Sequence, residues 1–241
     1  MVTVCAVAAP RSDLNLQTRP PDDLVETADS PKALASAVEQ AAAGGHDWLW
    51  IVASDVVPAP DALEALIAPV ADPAALDDPV LFASKVVRAS DGRLDMDAPP
   101  WPRLLARELA MAGADHRLAA LRAARAGSLL VQRRAVEIHG PPRRDFATAG
   151  GDLEWTGRIL RDEPGYLVPA SIAVRDDRAA PDLETFTRER VRILRGDGWR
   201  GQEKAWFAFL LTQDLMQHTA DRPAAAVGLA RAVGRGLRAP A

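Results

Sequence analysis

Trp48 to Val52 is an unbroken apolar run of five residues that leads through Ala53-Ser54-Asp55 to Pro58 and Pro60. A run this short suits a strand buried on both faces, and such strands belong to sheets covered by helices. The run therefore predicts α/β architecture and puts Asp55 at the carboxyl end of a strand. In open α/β sheets ligands collect at that end, so a carboxylate there is placed for a metal or a substrate. The alternative is that Asp55 starts a turn before Pro58 and caps the helix that follows.

The flanking pattern agrees with alternating strands and helices. Val2 to Ala9 is rich in β-branched residues and ends at Pro10, and Asp23 to Thr27 reads as a short second strand. Pro31 to Ala43 is a helix: Ser30 precedes it, proline holds its first position, and Gly44-Gly45 follows its end. A second helix spans Asp61 to Val70, with Leu63, Leu66 and Ile67 on one face. Val80 to Arg88 is a strand followed by the turn Ser90-Asp91-Gly92-Arg93. Further along come a strand at Gly127 to Val131, helices at Arg133 to Ile138 and Asp152 to Arg161, and a last strand at Tyr166 to Val174. Met96 to His116 wanders between core strands with several prolines, a habit of segments that carry recognition.

From Pro181 onward the pattern is helical, and Trp206, Phe207, Phe209, Leu210, Leu211, Leu215 and Met216 form a wide apolar surface. With arginines nearby, that surface implies a core or dimer face, or a contact with a membrane surface. The organisation expected is one α/β domain over 1–180 and a helical C-terminal extension over 181–241.

Composition excludes several classes. A net charge of −4 argues against a general nucleic-acid binder. Cys5 is the only cysteine, so there is no internal disulfide and no cysteine cluster for zinc, which fits a reducing cytoplasm. His46, His116, His139 and His218 have no paired ligand spacing, which argues against a zinc site. The opening residues lack the basic start of a signal peptide, and no apolar run is long enough to cross a membrane. Gly44-Gly45 reads as a helix stop, so no glycine-rich phosphate loop is seen. Ser128 lacks the flanking glycine of a nucleophile elbow.

Three segments together resemble a known family. DWLWIVASDVVPAPDALEAL resembles the stretch of family 2 glycosyltransferases in which a strand ends in an acidic triplet before a proline and a helix. VLFASKVVRASDGRLD resembles the strand and Asp-Gly turn that come next. AGSLLVQRRAVEIHGPPRRDFATAGGDLEWTGRILRDEPGYLVPASIAV is similar to the acceptor-side block, and TFTRERVRILR and GRGLR are similar to the C-terminal helices of the bacterial rhamnosyltransferase branch. The resemblance runs from about Lys32 to the C-terminus. It implies a GT-A fold, a nucleotide-sugar donor, a glycan or lipid-linked acceptor, and inversion at the anomeric carbon. In the family the second acid of the pair before the acceptor-side helix is the base. That position is Asp152 here, with Glu154 two residues on. A carboxylate in the first turn of a helix is also favoured by the helix dipole whatever its function.

The chain departs from the family pattern in three places. Ala53-Ser54-Asp55 keeps only the third acid of the metal triplet, and Arg175 stands where many relatives close the last strand with a histidine. Both changes weaken a site for Mg²⁺ or Mn²⁺, which want several hard oxygen ligands, and leave Asp55 as a weak metal ligand at most. A guanidinium gained as a carboxylate is lost could grip a diphosphate instead, implying transfer with little or no dependence on metal. The alternative is a plain ion pair between Arg175 and Asp55. Third, fewer residues precede Asp55 than in the family, which implies a shortened donor half and leaves Glu26, Asp29 and Lys32 as candidate contacts to base or phosphate. The expected function is thus glycosyl transfer in the cytoplasm, at the inner face of the membrane if the C-terminal helices bind there. The rival is a catalytically silent homologue that binds or scaffolds a partner.

Overall fold

The computed structural model describes residues 2–9, 14–71, 78–92, 94, 118–125, 127–146, 150–176, 183–196, 198–201, 203–205, 208, 231, 233–235 and 238. The recognition segment expected at 96–116 and the apolar surface built on Trp206 lie outside these residues.

The strands are β1 (Val4–Ala8), β2 (Asp23–Glu26), β3 (Trp48–Val52), β4 (Val56–Pro58), β5 (Leu81–Arg88), β6 (Ala119–Ala120), β7 (Ser128–Gln132) and β8 (Gly165–Arg175). The helices are α1 (Pro31–Ala43), α2 (Ala62–Ile67), α3 (Arg133–His139), α4 (Gly150–Ile159) and α5 (Leu183–Arg195), where α2 runs on into a 3-10 turn at Ala68–Ala71. One mixed sheet has the order β2-β1-β3-β7-β5-β8-β4, with β6 beside β8. β2, β1 and β3 are mutually parallel, β7 runs against both β3 and β5, and β8 is parallel to β5.

The local reasons are those the side chains supply. The Ser30 hydroxyl accepts from the Ala33 amide at 3.2 Å, Pro31 fills the first turn, and Gly45 follows the helix with φ +83°, a conformation that favours glycine. β3 is buried along its whole length. Leu49 and Ile51 join the core under α1, α3 and α4, while Trp48, Trp50 and Val52 pack on the α2 side. A strand buried on both faces cannot alternate polar with apolar, which is why its run is continuous.

Two features differ from the sequence expectation. The residues after Asp55 form β4, which pairs antiparallel with the end of β8, instead of a simple turn into α2. Asp61, not Asp55, occupies the cap position of α2, and its side chain makes no capping bond. β8 also carries an irregularity: Ser84 pairs with Val168 but Lys85 pairs with Ile172. Pro169 lies in the extra length and has no amide hydrogen for a ladder bond. Ser171 is turned inward there, and Ser128, Ser84 and Ser171 link in 2.7 Å steps across three strands. Trp50 Nε1 donates to Ser128 at 2.9 Å, and Ser171 donates to the Ala62 carbonyl at 2.8 Å. These buried hydroxyls are thereby satisfied, as buried polar groups must be.

The start of the C-terminal region is fastened to the core. Arg122 donates to both Glu203 oxygens at 2.7 and 2.9 Å, to the Gly157 carbonyl at 2.7 Å and to the Gly198 carbonyl, and lies over Trp199. Ile193 of α5 and Trp199 pack with Ala123, Phe146 and Leu153. Among the described residues no helix is long and apolar enough to cross a membrane.

Candidate functional site

Because β1, β2, β3, β5 and β8 share one direction, their carboxyl ends lie along a single edge of the sheet, and the first residues of the reversed β7 lie there too. Asp55 follows β3 on this edge, Arg175 ends β8, Arg88 ends β5, and Gly127 precedes β7.

β4 brings the first two together. Val56 is paired in register with Arg175, the Asp176 amide donates to the Asp55 carbonyl at 2.9 Å, and Arg175 Nε stands 3.3 Å from Asp55 Oδ2. Both side chains are nearly buried, at 7% and 11% exposure. Val56, Val86 and Ala173 form a small apolar cluster at these strand ends, with Ala53 packed against it. Gly127 makes room for the guanidinium. A Cβ on it would fall 2.7 Å from a Val86 methyl and 3.3 Å from Arg175 Nη2. Arg88 is the register partner of Arg175, so two guanidinium side chains start from neighbouring strand ends. Arg88 reaches Asp91 at 2.7 and 3.2 Å, in the Asp-Gly turn singled out in the sequence. Sequence reasoning missed Arg88 and the structural need for Gly127. The available signal for both was their position at strand ends.

α4 leads into the start of β8, and its first turn packs beside α5. Asp152 sits in that turn and is half-buried. One turn on, the Thr156 hydroxyl donates toward the Asp152 and Ala124 carbonyls at 2.8 and 2.9 Å and accepts from the Ala124 amide at 3.0 Å. That fixes α4 against the segment that leads into Gly127. Glu154 is different: it is buried, and Arg158 Nε and Nη2 reach its carboxylate at 3.0 and 3.3 Å. Glu189 of α5 is also buried and packs its carboxylate against Gly150, the first residue of α4, where the helix dipole favours negative charge. No motif marked Glu189.

The loop before α4 is clamped as well. Arg192 bonds the Asp145 carbonyl at 2.8 Å and its carboxylate, and lies 4.3 Å from the centre of the Phe146 ring. Burial alone would raise the Asp145 carboxyl, but hydrogen bonds from Arg143 and Arg192 outweigh it and hold it below the usual range. Ser54 is exposed in the turn beside Asp55, and Lys32 is exposed in the first turn of α1, on the β2 side of the sheet.

The donor set around Asp55 does not fit a Mg²⁺ or Mn²⁺ centre. Among the described residues it belongs to no group of three His, Cys, Asp or Glu ligands within mutual reach, and a guanidinium occupies its flank. A hard divalent cation needs several oxygens there. The one such group among the described residues is Cys5, Asp23 and His46, at the opposite edge of the sheet.

No family model matches the chain, and no curated protein matches its sequence. Among solved structures it is similar to GalNAc-T7, crystallised with UDP, GalNAc and Mn²⁺, at a TM-score of 0.54 and 11% identity over 90% of this chain. The chain spans 58% of that protein's length. A mycobacterial protein of known structure superposes over 80% of this chain and 74% of its own, at 18% identity and a TM-score of 0.48. The likeness to GalNAc-T7 shows the fold: a GT-A-like mixed sheet flanked by helices.

Proposed function

We propose that this chain transfers a sugar from a nucleotide-sugar donor to a glycan or lipid-linked acceptor, with inversion, as a relative of the family 2, rhamnosyltransferase-like glycosyltransferases. The observation that carries this reading is the Asp55–Arg175 pair, set among the strand ends of a GT-A-like sheet where such folds hold their ligands. Fold alone does not define an activity, so the proposal rests on those side chains. A buried arginine at the end of β8 supplies fixed positive charge for a departing diphosphate, and water exclusion strengthens that charge. Asp55 orients the guanidinium. Lys32 and Ser54 lie on the donor side. Asp152 is the base that takes the acceptor hydroxyl proton, with Glu154 behind it on the same helix, held by Arg158. On this reading the GT-A unit comprises residues 1–180 and the extension 181–241, whose helices contact an acceptor-bearing membrane or a second copy.

A second reading has its own support. Arg175 is already matched by Asp55, and Glu154 by Arg158, as in a site that has settled into internal ion pairs. The chain would then be a silent homologue that binds a partner.

Calorimetric titration with UDP, GDP and dTDP, each with Mn²⁺ and with chelator, separates the two. Micromolar binding that survives chelator and disappears in Arg175→Ala, while that variant remains folded by circular dichroism, supports the transferase. No heat with any nucleotide favours the silent homologue.

A further inference from the structure

We propose that Cys5, Asp23 and His46 form a binding site for a zinc-like divalent cation at the amino edge of the sheet, remote from the strand ends that carry Asp55 and Arg175. One ligand atom from each residue lies within 4.8 Å of the other two. His46 Nε2 and Asp23 Oδ2 are 3.6 Å apart. Zn²⁺ bonds of about 2.0–2.3 Å in a tetrahedron separate neighbouring ligand atoms by roughly 3.3–3.8 Å. The histidine–carboxylate edge already has that length, and the rest of the triangle needs only side-chain contraction.

The fold builds this triangle from three elements. Cys5 in β1 is the register partner of Asp23 in β2, which puts a thiol and a carboxylate side by side on neighbouring strands. His46 follows the glycine stop of α1, just before β3. Thr3 and Asp47 hold that junction. The Asp47 carboxylate accepts from the Thr3 amide and hydroxyl, both at 2.9 Å, and the Asp47 amide donates to the Thr3 hydroxyl at 3.0 Å. The start of β1 is thereby locked to the entry of β3, and His46 is kept beside Cys5.

Burial is graded in the way a cation site requires. Cys5 is buried, the His46 side chain is 19% exposed and that of Asp23 is 63% exposed. A cation has an open approach past the carboxylate and a dry sulfur ligand at the inner end, with a position left for water. Thiolate plus imidazole selects Zn²⁺ over Mg²⁺ or Ca²⁺. In the metal-free protein the thiol keeps its proton and donates to the Ala6 carbonyl at 3.6 Å. A bound cation displaces that proton to solvent and takes the sulfur as thiolate.

The full chain titrated with Co²⁺ tests the site, because a cobalt–thiolate bond produces a charge-transfer band that oxygen and nitrogen ligands do not. The expected result is a band that saturates at one equivalent, is removed by an equivalent of Zn²⁺, is lost in Cys5→Ser, and needs at least tenfold more Co²⁺ in His46→Gln. At one Zn²⁺ concentration the melting temperature of the wild-type protein should rise, and that of His46→Gln should rise clearly less. His46 is part-exposed, so its variant keeps the fold if Cys5→Ser does not. A folded wild-type protein that develops no thiolate band, or a band and a melting shift equally strong in His46→Gln, would overturn the proposal.

Discussion

Arg175 and Asp55, remote in sequence, stand 3.3 Å apart with both side chains nearly buried, and β4 holds them there by pairing Val56 with Arg175. Removing one member of such a pair leaves the other's charge nearly buried without its opposite charge. Arg175→Met is expected to cost about 3 kcal/mol of stability. The double variant Asp55→Asn with Arg175→Met should recover a large part of that loss, since it leaves no uncompensated charge. Urea denaturation of the two variants checks the ordering. A single variant no less stable than the double one would contradict it.

Gly127→Ala tests whether the close approach around Arg175 is required. The new methyl would meet a Val86 methyl at 2.7 Å and Arg175 Nη2 at 3.3 Å. Overpacking of this kind costs about 1–3 kcal/mol. If Arg175 serves the diphosphate, nucleotide binding should weaken in step with its displacement. Thermal melting and nucleotide calorimetry on one sample measure both effects.

Asp152→Asn separates a base from a helix-favoured carboxylate. As the base of the proposed transfer, its loss should lower kcat by about a hundredfold or more with little change in the KM for donor. As a helix-start residue alone, its loss should cost about 0.3–1 kcal/mol of stability and leave kcat intact. Steady-state kinetics, once a donor sugar is found, decides between these outcomes.

Glu203 gives the attachment of the C-terminal region a pH dependence. Burial alone would raise its carboxyl, but hydrogen bonds from the Arg122 side chain and the Arg200 amide prevail and hold it below its usual value of 4.5. A carboxyl depressed in the folded state contributes stability that is full above the unfolded value and lost as pH falls through the folded one. Acid titration should therefore release the region around Trp199 below about pH 4.5, followed as exchange of the amides near Gly198. Glu203→Gln should remove that acid-dependent step and weaken the attachment at neutral pH.

The zinc-like site proposed at Cys5 and the donor site proposed at Arg175 lie at opposite edges of one sheet, so each can fail without the other. Loss of nucleotide binding in Arg175→Ala should leave Co²⁺ uptake intact.

Much of the fold was legible in the chain because it rests on local rules. The five-residue run at Trp48 to Val52, the serine–proline start and double-glycine stop of α1, and the strands read over Val80 to Arg88 and Tyr166 to Val174 each follow from burial period and backbone preference. The same rules placed Asp55 at a strand end and Asp152 in the first turn of α4, while the family resemblance put Arg175 at the close of the last strand. Tertiary structure alone decided what those groups touch. Three residues of β4 are too few to show a period, yet they join Asp55 to Arg175. Arg158 claims Glu154, Glu189 packs against Gly150, and Ser84, Ser128 and Ser171 meet inside the sheet. Cys5, Asp23 and His46 have no ligand spacing along the chain, but strand register and the stop of α1 bring them within reach of one another. Side-chain period depends on neighbours a few residues away and is written in the sequence. Partnership depends on which strands lie side by side, and only the closed sheet sets that.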